Sequence, residues 1–428
     1  MQMKNKVKSE KGIMTMYVTI AVVTFTIILV ALFSLAVATR KNQIKTLIKI
    51  KEVYEQDNNK KEQIYMEQKR KLPYTSNTKP YYPDDTFERD SNTNLKNGLV
   101  IRDSNGNEYV WIEVPKSLYA NSNYNTETTT ADQKPTKSTD YDKIEYCLHK
   151  YTDYYRRNKN GTLTDYTDTY YSDATTGLTS TQYTDLKQKM LKSVYENGGF
   201  WIGRYEAGIE TNRTASGTPA VAPISKPGTI ENPVYPYTYV TCSQAQTLAN
   251  MKTTENYTSS LMFGVQWDLV LKHIEVKEVE KGTALATIQR ALRTDSKDWG
   301  NCYNASFTIN RGKYADYTSS KLSTTWTPYN QTTSNNFVNS NSVKQVQSSS
   351  NGILLTTGAS DACKKMNIYD LAGNVSEWTL EYTATYPPCA IRGGYYRNYG
   401  YNYPASTRDN YNTTTSGDIT GFRSSLFK

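Results

Sequence analysis

A chain of 428 residues is long enough for one large domain or two ordinary ones, plus appendages. The formal charge of +9 gathers around an apolar run near the start, and no RNP-like, zinc-finger or helix-turn-helix signature accompanies it, so no nucleic acid is expected as a partner. Five cysteines (Cys147, Cys242, Cys302, Cys363 and Cys389) form no CxxC pair, which argues against structural zinc; one or two disulfides remain open if the domain is exported.

In chain order, residues 1–12 are a basic leader carrying Lys4, Lys6, Lys8 and Lys11. Residues 13–38, "IMTMYVTIAVVTFTIILVALFSLAVA", contain no charge and exceed the roughly 20 apolar residues that a helix needs to cross a bilayer. Arg40, Lys41, Lys45, Lys49 and Lys51 follow, so both flanks are positive and the inside rule does not fix orientation. A cleavable signal peptide would have a shorter apolar region and a small-residue cleavage site. A retained single-pass membrane anchor is therefore expected, with the C-terminal domain extracellular. The start "KSEKGIMTMYVTI" also resembles a type IV prepilin leader, which implies cleavage after Gly12 and a pilin-like surface subunit; Tyr17 stands where that pattern has Glu.

Residues 39–72 are rich in Lys, Glu, Gln and Ile, with Ile44, Leu47 and Ile48 at helical spacing, and predict a charged helical stalk. Residues 73–96 lack periodicity and contain several prolines, which predicts a linker. The globular domain is then expected over 97–428. It opens with "NGLVIRDSNGNEYVWIEVP", whose alternation around Asn-Gly predicts a hairpin. An insertion over about 117–185, rich in Thr, Tyr and Asp, reads as a long surface excursion with a short helix around 141–155. "TDLKQKMLKSVYENGG" predicts a helix ended by glycine and "FWIGRYEAG" a strand; "VTCSQAQTLANM" and "VQWDLVLKHIEV" predict helices, and "NGILLTTG" a strand. From Met366 onward short turns dominate. The fold class is α+β with much irregular structure and one principal core.

The motifs "IGRYEAG", "VQWDLVLKHI", "WGN", "NIYDLAGNVSEWT", "RGG" and "GFR", in that order, resemble the formylglycine-generating enzyme (sulfatase-modifying factor) domain, whose fold is related to C-type lectins. The resemblance spans about 97–428, apart from the insertion. It implies the fold more firmly than the activity. Oxidase members of the family hold copper between two cysteines after the RGG equivalent, and soft Cu(I) requires both sulfurs. Asn398 and Tyr403 stand at those places here, so no copper is expected. Related iron-dependent enzymes use a histidine cluster, whereas this chain has two histidines, His149 and His273, far apart in sequence. The resemblance also implies a structural Ca²⁺ held by the side chains of Asp370 and Glu377 and the carbonyls of Gly373 and Val375, a set of hard oxygen donors. The alternative reading has Asp370 capping a turn and Glu377 in an ordinary ion pair.

Between RGG and GFR, the family fold places its active or binding face. Here that stretch is dense in tyrosine and asparagine: Tyr395, Tyr396, Arg397, Asn398, Tyr399, Tyr401, Asn402, Tyr403, Asp409, Asn410, Tyr411 and Asn412. Tyr gives large, stiff contacts at low entropy cost and Asn bonds adaptably, which is paratope chemistry. Arg392, Arg408, Phe422 and Arg423 read as scaffold. The pattern further resembles the variable segments of diversity-generating retroelement target proteins, although low-GC codon usage produces the same Tyr and Asn excess. The expected function is a membrane-anchored, receptor- or adhesin-like binder of an extracellular protein or glycan. The alternatives are a formylglycine-generating-type oxidase that relies on another cysteine such as Cys389, and a pilin-like subunit.

Overall fold

The computed structural model describes residues 2–120, 138–318, 321–331, 334–346, 351–383 and 385–428. It divides into two units, Met1–Lys71 and Leu72–Lys428.

The first unit is a single helix, Gln2–Arg70, so the apolar run and the expected stalk are one continuous element. Nothing in its sequence breaks a helix except Gly12. The hydroxyls of Thr15, Thr19, Thr26 and Thr39 donate to carbonyls one turn back at 2.7–2.9 Å, which satisfies them within the helix itself. Its stretch Glu10–Glu62 is, by length and composition, long and apolar enough to cross a membrane.

The second unit is built on a six-stranded antiparallel sheet in the order Glu88–Arg89, Val100–Arg102, Glu108–Glu113, Gly199–Gly203, Ser424–Phe427, Thr258–Leu261. The predicted hairpin forms its second and third strands. The end of the chain lies between the strands Gly199–Gly203 and Thr258–Leu261, so residues just past GFR close the sheet. Both faces are covered, and alternate residues serve different cores. Val110, Ile112 and Ile202 enter the main core, whereas Tyr109, Trp111 and Trp201 face a second cluster.

That second cluster corrects the expected linker. Leu72, Phe87, Tyr81, Tyr82 and Leu95 pack on the outer face of the sheet. Thr78 is buried, accepting from Trp111 Nε1 at 2.8 Å and donating to the Gly198 carbonyl at 2.8 Å. The compact unit therefore begins at Leu72, because the sheet's aromatic outer face needs a cover.

The insertion is likewise more than a surface excursion, with residues 121–137 outside the described part. The helix Ser138–Tyr151 sends Ile144, Cys147 and Leu148 into the main core, and the helix Ser180–Asn197 sends Tyr183, Met190, Leu191 and Val194. The latter starts with a capping box on Thr179 and Gln182, ahead of Thr184, where the sequence places its beginning, and stops at Gly198, the glycine end its sequence predicts. Helices Cys242–Asn250, Gly264–Glu280 and Leu285–Arg293 complete the main core.

A second sheet carries the region of interest. The strand Ser376–Thr383 is its centre, flanked by Cys389–Arg392 (antiparallel) and Thr420–Phe422 (parallel), with Arg408–Tyr411 outside Cys389–Arg392. Tyr166–Thr167 from the insertion pairs with the far end of the central strand.

Candidate functional site

The two motifs that bracket 392–423 are anchored by buried charge. Arg392 and Arg408 stand directly opposite each other across neighbouring strands, an arrangement that repels unless it is compensated. Two carboxylates compensate it. Arg392 donates to Asp268 at 2.8 Å and to Glu381 at 3.0 Å; Arg408 donates to Glu381 at 2.8 Å and to Asp268 as well. Asp268 comes from the helix Gly264–Glu280 and Glu381 from the central strand, so the four residues form a closed, charge-neutral ring. Remaining donors reach the carbonyls of Thr407 and Tyr155. None of the four side chains is more than 4% exposed.

Arg423 ends the second motif in the same manner. It grips Glu377 through Nε (3.1–3.2 Å) and Nη2 (2.7 Å), and its other donors meet the carbonyls of Gly203 and Tyr369. Phe422 is fully buried. After Arg392 the chain turns through Gly393 (φ 86°) and Gly394 (φ 71°). A Cβ on either would lie 2.8 Å from a carbonyl oxygen, Leu371 or Tyr403 respectively, so both positions demand glycine.

The candidate binding residues between the motifs fall into two groups. Tyr396 is buried, donates to Asp418 at 2.6 Å and packs 6.0 Å from the Tyr317 ring centre; it is core, contrary to the expected display role. Asn398 is largely buried and shapes the turn, accepting from the Tyr395 amide at 3.0 Å while its carbonyl accepts from the Tyr303 amide at 2.7 Å. Arg397 stacks on Tyr317 at 3.9 Å and is half-buried. Tyr403 and Tyr411 are half-buried, the latter against Trp378. Asp409, Asn410 and Asn412 are half-buried along the outer strand and just beyond it, and Asn410 donates to the Pro387 carbonyl.

Tyr395 and Tyr399 are half-buried, whereas Tyr401 and Asn402 are exposed. Tyr399 lies edge-on to Tyr303 at 4.8 Å and beside Tyr401 at 5.2 Å, which makes a short aromatic row leading outward. Asn304 accepts from the Gly400 amide at 3.0 Å and fixes the loop from below. Tyr303, Asn304 and Tyr317 were missed by the sequence reading. The motif "WGN" lies just ahead of the first two and was the available signal.

The four residues of the calcium expectation sit under this face. Asp370 (φ 56°), Gly373 (φ 76°) and Asn374 (φ 58°) form a left-handed turn, a backbone that Asp, Asn and Gly tolerate. Asp370 Oδ2 accepts from the Gly358 amide at 3.0 Å, while Oδ1 is buried without a hydrogen-bond partner among the described residues. Glu377 is committed to Arg423. Glu206 joins them, accepting from the Val375 amide and from Asn374 Nδ2 at 3.1 and 2.7 Å. Burial pushes the Asp370 carboxyl up to about 7 and raises Glu206 and Glu377 as well.

A different cluster brings metal-type side chains closer together. Ligand atoms of Glu145, His149 and Asp168 lie within 4.8 Å of one another. Its carboxylates already have partners. The Lys187 ammonium is 2.9 Å from Glu145, and both Asp168 oxygens accept backbone amides, from Gly264 and Val265 at the start of the helix Gly264–Glu280. All five cysteines are buried, and none forms a disulfide among the described residues. Cys242 Sγ donates to the Thr379 carbonyl at 3.6 Å, and the proximity of Cys242 and Cys389 raises the first thiol and lowers the second.

With this geometry in hand, the chain can be placed. Residues 235–425 match the sulfatase-modifying factor enzyme 1-like domain family, and this part of the chain is such a domain. The match takes in the ionic ring, the loop 370–377 and the whole segment from RGG to GFR. Among solved structures, "Crystal Structure of CarF" aligns at 13% identity with a TM-score of 0.31, covering 54% of this chain and 87% of that one. At that score the likeness says nothing about function. No curated protein is a significant match.

Proposed function

We propose that the protein is a membrane-anchored surface binder, receptor- or adhesin-like, that presents 395–412 to an extracellular protein or glycan. The observation that carries this reading is the contrast within one segment: a stiff, fully paired bracket holds an outward row of tyrosines with Asn402 beside it. Three or four aromatic contacts of about 0.5–1.5 kcal/mol each add roughly 1.5–6 kcal/mol to what their burial contributes towards the approximately 8 kcal/mol of micromolar binding. No side chain in the segment is a nucleophile with an adjacent base, and an amide and a phenol occupy the places of the family's copper thiolates. In this reading the apolar helix is the anchor. A signal sequence passes the same length test, so N-terminal sequencing decides: an intact Met1 supports the anchor, and a new start at Ile13 supports the pilin-like alternative.

The direct test uses the full chain in lipid nanodiscs against arrays of glycans and extracellular proteins. Capture should be lost in Tyr399→Ala and Tyr401→Ala while the melting temperature holds. Capture that ignores both substitutions would sink the reading. Sequencing the locus across its native population addresses diversification: replacements confined to 395–412 between fixed RGG and GFR support it, and an invariant segment removes it. The oxidase alternative gains ground only if copper-dependent oxidation of a cysteine peptide disappears in Cys389→Ser.

We also propose a structural Ca²⁺ beneath the face. The buried Asp370 Oδ1, without a hydrogen-bond partner among the described residues, fits a cation ligand, and of the three buried carboxylates Asp370, Glu206 and Glu377 it is Glu377 that Arg423 grips. Asp370 and the carbonyls of Gly373 and Val375 would hold the ion, with Glu377 shared between it and Arg423. Its contribution would be charge neutralisation and a pinned loop. Saturating Ca²⁺ should raise the melting temperature by several degrees over chelator. Superimposable melts would refute it.

A further inference from the structure

A cavity of about 190 Å³ is lined by Arg157 and Lys159 of the insertion, by Arg293 at the end of the helix Leu285–Arg293, and by Asn402, Ser406 and Arg408 of the segment after RGG. Four basic side chains reach its wall, and no acidic side chain is among the described lining residues. Two of the four are neutralised. Arg157 is forked onto Asp153 at 2.8 and 3.1 Å, and Arg408 belongs to the ionic ring. The other two are not. Arg293 donates one hydrogen bond to the Tyr154 carbonyl at 3.0 Å and lies 3.9 Å over the Tyr154 ring, while Lys159 bonds only the Asn402 amide oxygen at 3.3 Å. Neither forms an ion pair among the described residues.

A concave wall with two uncompensated cations concentrates positive potential where water is partly excluded. Stacking holds the Arg293 guanidinium in place, leaving its other N–H groups for a planar anion. The volume is below that of pockets for drug-sized ligands, so it suits one small unit. Asn158, Asn160 and Asn402 amides with the Ser406 hydroxyl supply neutral hydrogen-bonding groups suited to a partner rich in hydroxyls. The rim is shared with the displayed segment through Asn402, next to exposed Tyr401.

We propose that this cavity binds a carboxylate-bearing sugar residue, with the carboxylate at Arg293 and Lys159. This deepens the binder reading and rests on it for biological meaning, but the chemistry of the site can be tested separately. Glucuronic acid, glucose, inorganic phosphate and a short glutamate peptide should be titrated calorimetrically into the full chain in nanodiscs. Glucuronic acid should bind at least about tenfold more tightly than the other three. Arg293→Gln should weaken it about tenfold, the change expected for one lost charge-assisted hydrogen bond, and the exposed Lys159→Gln by a smaller factor. Equal binding of glucose and glucuronic acid, or of phosphate or peptide and glucuronic acid, would overturn the proposal. So would glucuronic acid binding that survives both substitutions, or that cannot be detected at all. Array capture that ignores both Tyr399→Ala and Tyr401→Ala, together with glucuronic acid binding that Arg293→Gln weakens, would sink the display reading while the cavity stands.

Discussion

The bracket and the interior of 392–423 use the same few residue types to opposite ends. The side chains of Arg392, Arg408 and Arg423 are at most 4% exposed, and carboxylates and carbonyls meet their donor nitrogens. A few residues away, Tyr401 is 45% exposed and Asn402 is open to solvent. Rigidity comes from charge taken out of water and paired on every side. Exposure falls to side chains whose backbone is fixed by others, as Asn304 and Asn398 fix the turn beneath Tyr399 and Tyr401. Substitutions should therefore separate cleanly into those that unfold and those that only unbind.

The largest effect should come from Arg423→Ala. Truncation leaves Glu377 buried without its guanidinium and the Gly203 and Tyr369 carbonyls without a donor. Breaking a buried pair of this kind costs about 3–5 kcal/mol, a large share of the roughly 5–15 kcal/mol that holds a domain folded. Denaturant unfolding should show it, with the slope unchanged. Arg423→Lys should recover little, since a point charge cannot reach Glu377 and both carbonyls together. A wild-type midpoint for Arg423→Ala would dissolve the contrast between bracket and display.

A buried tyrosine inside the segment provides the next test. Tyr396→Ala should cost about 3 kcal/mol or more, as large aromatic truncations in cores do, and would lose the bond to Asp418 as well. Tyr396→Phe isolates that bond and should cost about 1 kcal/mol. If Tyr396→Ala proves neutral, the segment is looser than its packing against Tyr317, Leu354 and Val375 implies.

How much of this was legible beforehand follows from the physics of each signal. Helices with caps and periodic apolar positions, such as Ser180–Asn197, could be read directly, as could the hairpin around Asn-Gly. The motif glycines and arginines marked the bracket, because positive φ and forked ion pairs demand those residue types. The cover formed by Leu72–Leu95 was invisible: it has no regular period, and only the sheet's second aromatic face gives it a reason to pack. Composition could not separate Tyr396 from Tyr401 either. Tyr suits both a core and a surface, and strand alternation is lost in turns, so burial there is decided by partners such as Tyr317 that come from elsewhere in the chain.

Acid offers a smaller, scaffold-specific probe. His273 Nδ1 accepts from the Glu113 amide at 3.1 Å, and its Nε2 is buried without a hydrogen-bond partner among the described residues. Burial first, then Lys277, lowers its pKa from 6.5 to about 3. The folded state therefore holds this imidazole neutral. Its contribution is complete above about pH 6.5 and is lost progressively as pH falls towards 3. His149, lowered to about 3 chiefly by burial, acts in the same direction. Asp168, raised to about 8, acts oppositely, favouring the fold as pH falls through 8. The informative quantity is thus the difference between wild type and His273→Asn, which keeps an acceptor for the Glu113 amide but does not titrate. Wild type should lose melting temperature relative to that variant on going from pH 7 to pH 4. Parallel curves would mean that His273 is protonated in the fold. Display substitutions should follow the wild-type curve throughout.

The smallest stability effect belongs to Tyr401, and it is the most telling one. Its ring touches Tyr399 at 5.2 Å but is 45% exposed, and its neighbour Asn402 also faces solvent. Removing it deletes one partial stacking contact and creates no cavity, so Tyr401→Ala should change stability by no more than about 0.5 kcal/mol. If the row Tyr303, Tyr399, Tyr401 is a contact surface, the same substitution should cost a ligand about 2 kcal/mol or more, as central aromatic anchors do. Tyr401→Phe should keep most of that affinity if the ring face carries the contact, and lose it if the hydroxyl does. The pair of measurements, melting and capture on one variant, is what divides display from scaffold. A Tyr401→Ala protein that melts several degrees lower would place this side chain in the bracket's company and move the binding face elsewhere.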